Sequence, residues 1–194
     1  MKLIFIRHGQ TTGDEEDRYG GDYDDHLSET GKTQAQVLLA ELKNKGIEII
    51  ISSPLIRAQE TTAIVSSLGC PVIIEPNFKE RNQYGILTGL IKGEAIKQYP
   101  DLVLKLKDRL NTIEGAESYE DFSARIQSAF QKLKLEEKYS VAAVVWHGGL
   151  MRVLFRDILK KGELKEIGDC AWVELEIEGE RVEIKELKRL ELAD

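Results

Sequence analysis

The sequence predicts a three-layer αβα sandwich built on a mainly parallel sheet, and three observations carry that expectation. Residues 2–6, 47–52 and 141–146 are nearly continuous apolar runs, the pattern of central strands covered on both faces. Segments of helical period separate them, and strands alternating with helices favour an α/β architecture. A chain of 194 residues that is 42% hydrophobic suits one domain with a substantial core and opposes disorder. A single domain over residues 1–194 is therefore expected.

The elements follow in chain order. After the first strand, Ser28 is placed to cap a helix from Glu29 to about Lys45, with Ala35, Leu38, Leu39 and Leu42 on one face and Gly46 at its end. Ser53 and Pro54 have the form of a cap and a first-position proline, starting a helix through Arg57 and Thr61 to about Leu68. Residues 71–75 form a fourth, shorter strand candidate. Residues 89–115 fit the alternation least well, because Gly93 and Pro100 interrupt their helical pieces, so a lid or side insertion is expected there. Ser118 with Asp121 resembles a capping box that opens a helix to about Glu136. A short helix follows over residues 150–159. Residues 172–177 and 181–187 alternate apolar and charged side chains around Glu178-Gly179, as in a hairpin near a sheet edge.

Composition narrows the partners. The formal net charge is −7 and no basic cluster of five or more residues occurs, which disfavours nucleic acid and anionic membranes. Any positive charge that attracts an anionic substrate must then be local. The N-terminal apolar run is too short for a signal-peptide core, no stretch approaches a membrane span, and a cytoplasmic location is expected. Cys70 and Cys170 lie in no CxxC and read as ordinary thiols.

Ligands of open parallel sheets bind at the carboxyl ends of strands. The first strand ends on Arg7-His8-Gly9. Arg57 falls in the first turn of the helix after the second strand, and His147-Gly148 follows the last of the apolar runs. Two of only three histidines thus begin a His-Gly step at a strand end. Phosphoryl transfer through a histidine suits this set. A neutral imidazole is a competent nucleophile toward phosphorus, and two arginines can hold a phosphoryl group bidentately. The arginines also disfavour protonation of the imidazole. Gly9 and Gly148 let backbone approach the phosphate. Glu80, in the segment after the fourth strand, is the candidate proton donor to the leaving oxygen and later the base for water.

Six stretches in order, RHGQT, LSETGKTQA, SSPLIRAQETT, ERNQYGILTG, GAESYEDFSAR and VVWHGGLMR, resemble the histidine phosphatase superfamily, also called the phosphoglycerate mutase-like family, across nearly the whole chain. The resemblance implies that His8 is the phosphorylated nucleophile and Glu80 the proton donor. It assigns Arg7, Arg57 and His147 to the phosphate pocket, and implies a histidine acid phosphatase-type phosphoric monoester hydrolase with no metal or organic cofactor. Two departures stand out. Asp14 replaces the asparagine frequent in the family, where an anion would repel phosphate unless protonated or turned away. ERNQYG carries one residue more than the mutase-like ERxYG spacing. His26, where proline is common, reads as a loop residue.

Other signals fail on their own terms. Gly31-Lys32-Thr33 lacks the P-loop glycine, since His26 occupies that position. The acidic stretch from Asp22 has Leu27 where a calcium loop needs glycine. The run from Asp14 to Asp17 reads as a solvated face. His8 and His147 lack a third zinc ligand, and the arginines would repel the cation. The expected function is hydrolysis of small phosphorylated metabolites. Its nearest rival is a cofactor-dependent phosphoglycerate mutase, disfavoured because the insertion after Glu80 is short and Arg109 is its only arginine. An inactive phosphate-binding protein is a third reading, disfavoured because mere binding would not need Glu80.

Overall fold

A computed structural model describes residues 1–135 and 138–193. Among these, six strands form one sheet in the order β3-β2-β4-β1-β5-β6. Strands β1 (Lys2–Arg7), β2 (Ile49–Ser52), β3 (Val72–Ile74) and β4 (Val141–Trp146) are parallel, while β5 (Leu164–Glu178) and β6 (Arg181–Leu192) extend the sheet as an antiparallel hairpin. No helix among the described residues is long and apolar enough to cross a membrane.

The continuous apolar runs have a direct physical cause. Leu3 and Phe5 enter a core with Val144, Trp146 and the buried face of α6 (Tyr119–Leu135), whereas Ile4 and Ile6 enter a second core with Ala143, Val145 and α2 (Glu29–Leu42). Each side chain of β1 between Leu3 and Ile6 is wholly buried, so neither face of the strand tolerates a polar residue. Helix α3 (Ile56–Val65) joins α2 on one side of the sheet, and α7 (Gly148–Val153) joins α6 on the other.

Several boundaries differ from expectation for identifiable reasons. Helix α2 does begin at Ser28, whose hydroxyl accepts from Gly31 N at 3.0 Å, but it ends at Leu42. Ser53 is not the cap of α3; Leu55 holds that place without a side-chain bond, and the Ser53 hydroxyl is committed elsewhere. Strand β3 is an edge strand with all three side chains exposed, because only β2 pairs with it. Ser118 caps α6 by accepting from Asp121 N, and the expected end near Glu136 lies outside the described residues. Strand β5 begins eight residues before its alternating stretch, and α7 passes into a wider π turn at Leu154–Ile158.

Residues 89–115 pack on a small core of their own. Helices α4 (Lys92–Gln98) and α5 (Pro100–Lys105) surround Leu87, Ala95 and Ile113, together with Tyr19 from the segment after α1 (Thr12–Glu15). Pro100 separates the two helices, as expected, whereas Gly93 lies inside α4 and does not break it. Backbone bonds from Tyr19 N to Leu90 O, Gly89 N to Tyr19 O and Lys92 N to Asp17 O stitch this segment to residues 17–19.

The start of α2 presses backbone to backbone on the loop after β1. A Cβ at Gly31 would stand 2.0 Å from Gln10 O. Gly31→Ala should therefore destabilise the fold by about 1–3 kcal/mol, the usual cost of overpacking. Urea titration should show a lower midpoint at unchanged slope; an unaltered midpoint would show that the contact yields freely.

Candidate active site

Parallel pairing sets the site. Arg7 is paired with Trp146 and Ser52 with Val145, so β2, β4 and β1 end level and release Ser53, His147 and His8 at one rim. His8 N donates to Trp146 O at 3.1 Å, and the two imidazole centroids lie 5.1 Å apart. Arg57, in the first turn of α3, reaches back to His8. The segment after β3 carries Glu80 over the N-terminus of α7, where Gly149 N donates to its Oε2 at 2.8 Å. A Cβ at Gly149 would fall 2.2 Å from Glu80 Oε1, so any other residue there would displace the carboxyl.

Arg7, His8, Arg57, Glu80 and Gly148 thus line one cavity of about 340 Å³. His147 sits fully buried beside His8. A larger groove of about 670 Å³ between α2 and the β5–β6 hairpin has no histidine in its wall.

Hydrogen bonding assigns the tautomer of His8. His8 Nδ1 lies 2.7 Å from Gly9 O, an acceptor only, so Nδ1 carries the proton. Nε2 then keeps its lone pair, which accepts from Arg57 Nε at 3.1 Å. Burial, followed by the charges of Arg57 and Arg7, holds the His8 pKa well below its ordinary value. The Ser53 hydroxyl accepts from Leu55 N and lies 2.6 Å from His147 Nε2. His147 Nε2 is thus hydrogen-bonded with Ser53, while its buried Nδ1 has no partner among the described residues. Burial, then the charge of Arg57, also keeps His147 neutral. For Glu80, burial pushes the pKa up against the opposing Gly149 and Arg81 N–H groups and both arginines. A neutral imidazole, a carboxyl inclined to keep its proton and two guanidinium groups can together transfer a phosphoryl group.

The supports of these groups escaped sequence reasoning. Arg57 donates to Gly21 O, Tyr23 O and Asp25 Oδ1 at 2.6, 2.5 and 3.0 Å, so with the bond to His8 four of its five N–H groups are held and one on Nη2 is left over. Arg7 donates to Ile167 O at 2.5 Å and stands 3.3 Å from Asp169, which Gln34 ties to α2. Gln34 also accepts from Gln10 N, so the loop after β1 and the bend in β5 are braced together. Asp14 turns its carboxylate onto Thr11 N and Oγ1, both at 3.0 Å, which caps its own helical turn. His26 pairs at the surface with Glu60 at 2.7 Å.

Arg18, Lys92 and Arg152 also line the cavity, whereas the Arg109 side chain reaches Tyr119 and Glu163 instead. The single arginine of the insertion therefore does not describe the charge of the cavity, and that part of the ground for preferring hydrolysis over a mutase falls. Among the described residues no three His, Cys, Asp or Glu side chains converge as metal ligands.

The buried neutral histidines have a signed consequence. Below about pH 6.5 the unfolded chain takes up protons that folded His8 and His147 refuse, so acid costs stability; Glu80, shifted the other way, offsets part of this. Relative to wild type, His147→Asn should flatten unfolding free energy against pH by about 1.4 kcal/mol per pH unit between about pH 5 and 6. Urea titrations across that range would read it, and an unchanged slope would mean His147 is charged when folded.

Known proteins share the fold and place the family. The profile of the histidine phosphatase superfamily (branch 1) matches residues 3–189. A protein named metal-independent phosphoserine phosphatase from Arabidopsis thaliana is 30% identical over 160 residues, 79% of this chain and 67% of that one. Phosphoserine phosphatase 1 of Hydrogenobacter thermophilus is 29% identical over 82% of this chain and 76% of its own. The solved structure of a mycobacterial glucosyl-3-phosphoglycerate phosphatase with VO3 superposes with a TM-score of 0.82 at 27% identity, covering 95% of this chain and 96% of that one. This chain belongs to the histidine phosphatase superfamily.

Proposed function

We propose that the protein is a phosphomonoesterase that hydrolyses small phosphorylated metabolites through a phosphohistidine on His8. The observation that carries this reading is the neutral His8, unprotonated at Nε2, in the wall of a cavity that it shares with Arg7, Arg57 and Glu80. The relatives named as phosphatases support it.

In the first step Arg57 turns from Nε2 to the phosphoryl oxygens, and Nε2 attacks phosphorus. The bond from phosphorus to the ester oxygen breaks, and that oxygen takes the Glu80 proton. Arg7, Arg57 and the Nδ1–H of His147 bear the charge on the equatorial oxygens. In the second step water gives its proton to the Glu80 carboxylate and attacks phosphorus, breaking the bond to Nε2 and releasing phosphate. Residues 89–115 act as the lid, since they wall the cavity at Lys92 and rest on a separate small core. A mutase reading has one observation in its favour, the added cations Arg18, Lys92 and Arg152. Turnover of 3-phosphoglycerate with and without a bisphosphoglycerate primer decides between them, phosphate release exceeding isomerisation under the present reading.

Rapid quenching of a labelled substrate should trap an acid-labile, alkali-stable adduct on His8. Label persisting in His8→Ala, or found on His147, would overturn the assignment. Dialysis against a chelator should leave turnover nearly unchanged, because cationic side chains already serve the role of a metal; a loss restored by Mg²⁺ or Zn²⁺ would contradict this.

Glu80→Gln should slow single-turnover phosphorylation by alkyl phosphates about 10²–10⁴-fold, the usual worth of a general acid. p-Nitrophenyl phosphate, whose leaving group departs almost unaided, should lose far less. An equal loss with both substrates would make Glu80 a positioning residue.

A further inference from the structure

Strand β5 breaks from its partner beside the site. Its ladder with β6 pairs Ile167 with Leu190 and next Trp172 with Lys188, so residues 168–171 stand against the single residue Arg189. The extra length forms a bulge, and Cys170 and Arg189 face each other across it in the left-handed region, at φ +52° and +56°. Side chains other than glycine rarely adopt that conformation unless their surroundings impose it. Here they do. Arg189 donates to Cys170 O from Nε at 3.2 Å and from Nη2 at 2.8 Å, and its guanidinium also meets both oxygens of Glu41 on α2, at 3.0 and 2.8 Å. Cys170 N donates to His8 O at 3.1 Å. The bulge is thus pinned to α2 on one side and to the end of β1 on the other.

This pinned segment is the seat of Arg7. Ile167 O accepts from Nη1 at 2.5 Å, and the Asp169 carboxylate stands 3.3 Å from Nη2. Gln34 Nε2 donates to the other Asp169 oxygen at 3.2 Å, which keeps the carboxylate from turning away. Arg7 Nε is left beside Gly148, where a Cβ would stand 3.9 Å from it. The same stretch carries another cation of the cavity wall, since Arg152 donates to Leu164 O. Bulges next to active sites commonly re-aim a side chain. A free arginine has several torsions to lose when it meets an anion, and holding both its Nη groups removes that cost in advance.

We propose that the bulge at residues 168–171 is a positioning device for Arg7, with Asp169 as the positioning residue that sets the guanidinium plane for a phosphoryl oxygen. The inference rests on the phosphatase reading for its effect on turnover, whereas its effect on phosphate binding requires no chemistry at His8. Two properties of Asp169 act with opposite signs, and that makes them separable. As a charge, the carboxylate opposes an anion beside Arg7; as an acceptor, it holds Arg7 in place.

Equilibrium dialysis of the full chain with labelled phosphate tests it. Asp169→Asn sheds the charge but keeps a carbonyl oxygen for Nη2, and should bind phosphate more tightly than wild type. Asp169→Ala sheds both and should bind about three- to tenfold more weakly, because the anion must then order a loosened arginine. A loss of charge alone would tighten binding in both variants, and that result would overturn the proposal. So would wild-type affinity in Asp169→Ala, which would leave Ile167 O as the sufficient support of Arg7. Arg189→Gly tolerates the left-handed backbone but releases Cys170 O and Glu41. It should weaken phosphate in the same direction, and unaltered binding would overturn the part given to the bulge. In turnover of p-nitrophenyl phosphate, Asp169→Ala should lower kcat/KM by more than it weakens phosphate, since a misplaced guanidinium costs most as charge develops on the equatorial oxygens. Asp169→Asn should recover most of that loss. If the protein proves inactive but Asp169→Ala still weakens phosphate while Asp169→Asn does not, the positioning device stands and the phosphatase reading falls.

Discussion

The guanidinium of Arg57 is the point on which the site's architecture converges. It is buried, so its charge must be met by acceptors, and they come from separate parts of the chain: Gly21 O, Tyr23 O, Asp25 and His8 Nε2. Satisfying one cation thus closes the loop between α1 and α2 over the sheet rim and positions α3. It also requires a lone pair on His8 Nε2, which the bond from Nδ1 to Gly9 O supplies. Removing any of these acceptors would leave part of a desolvated charge unpaired, which is why such networks resist piecemeal change.

Local and global charge run in opposite directions. The chain carries −7, yet five cationic side chains line the cavity: Arg7, Arg18, Arg57, Lys92 and Arg152. Much of the acidic excess is engaged near these cations. Asp25 meets Arg57, Asp169 meets Arg7, Glu16 meets Arg18 and Asp17 meets Lys92. The carboxylates hold the cations in place behind or beside the cavity. Field lines from the cations still emerge into the concave, low-dielectric space where an anion would enter.

Legibility in the sequence followed the range of the interactions. The strands of residues 2–6 and 141–146 were readable because burial on both faces leaves an unbroken apolar run. Arg7, His8, Arg57, Glu80 and His147 were readable because each sits at or just beyond a strand end, where the fold class itself predicts a crevice. Their supports were not. Asp25 lies 32 residues from Arg57, and Ile167, whose carbonyl holds Arg7, lies 160 residues away, inside a strand stretch that shows no alternation. Arg18 and Lys92 meet only through the backbone ladder that joins residues 17–19 to 89–92, and no side-chain pattern announces such a ladder. Ser53 misled for a different reason: Ser-Pro is a good helix start, but here the hydroxyl was claimed by His147.

That same ladder ties residues 89–115 to the wall of the His8 cavity. The apolar core of residues 89–115 is small and distinct from the two large cores on the sheet, so its packing can loosen without disturbing them. Tyr19 belongs to that small core and also stands directly after Arg18 in the cavity wall. Movement of residues 89–92 must therefore carry residues 17–19 with it, and with them the carboxylates of Glu16 and Asp17 that pair Arg18 and Lys92. Coupling of this kind runs through a few backbone bonds and two ion pairs, whereas His8, Arg57 and His147 are fixed by the rigid ends of the sheet. The fold thus sets His8, Arg57 and His147 at the strand rim and seats residues 89–115 on a small core of their own.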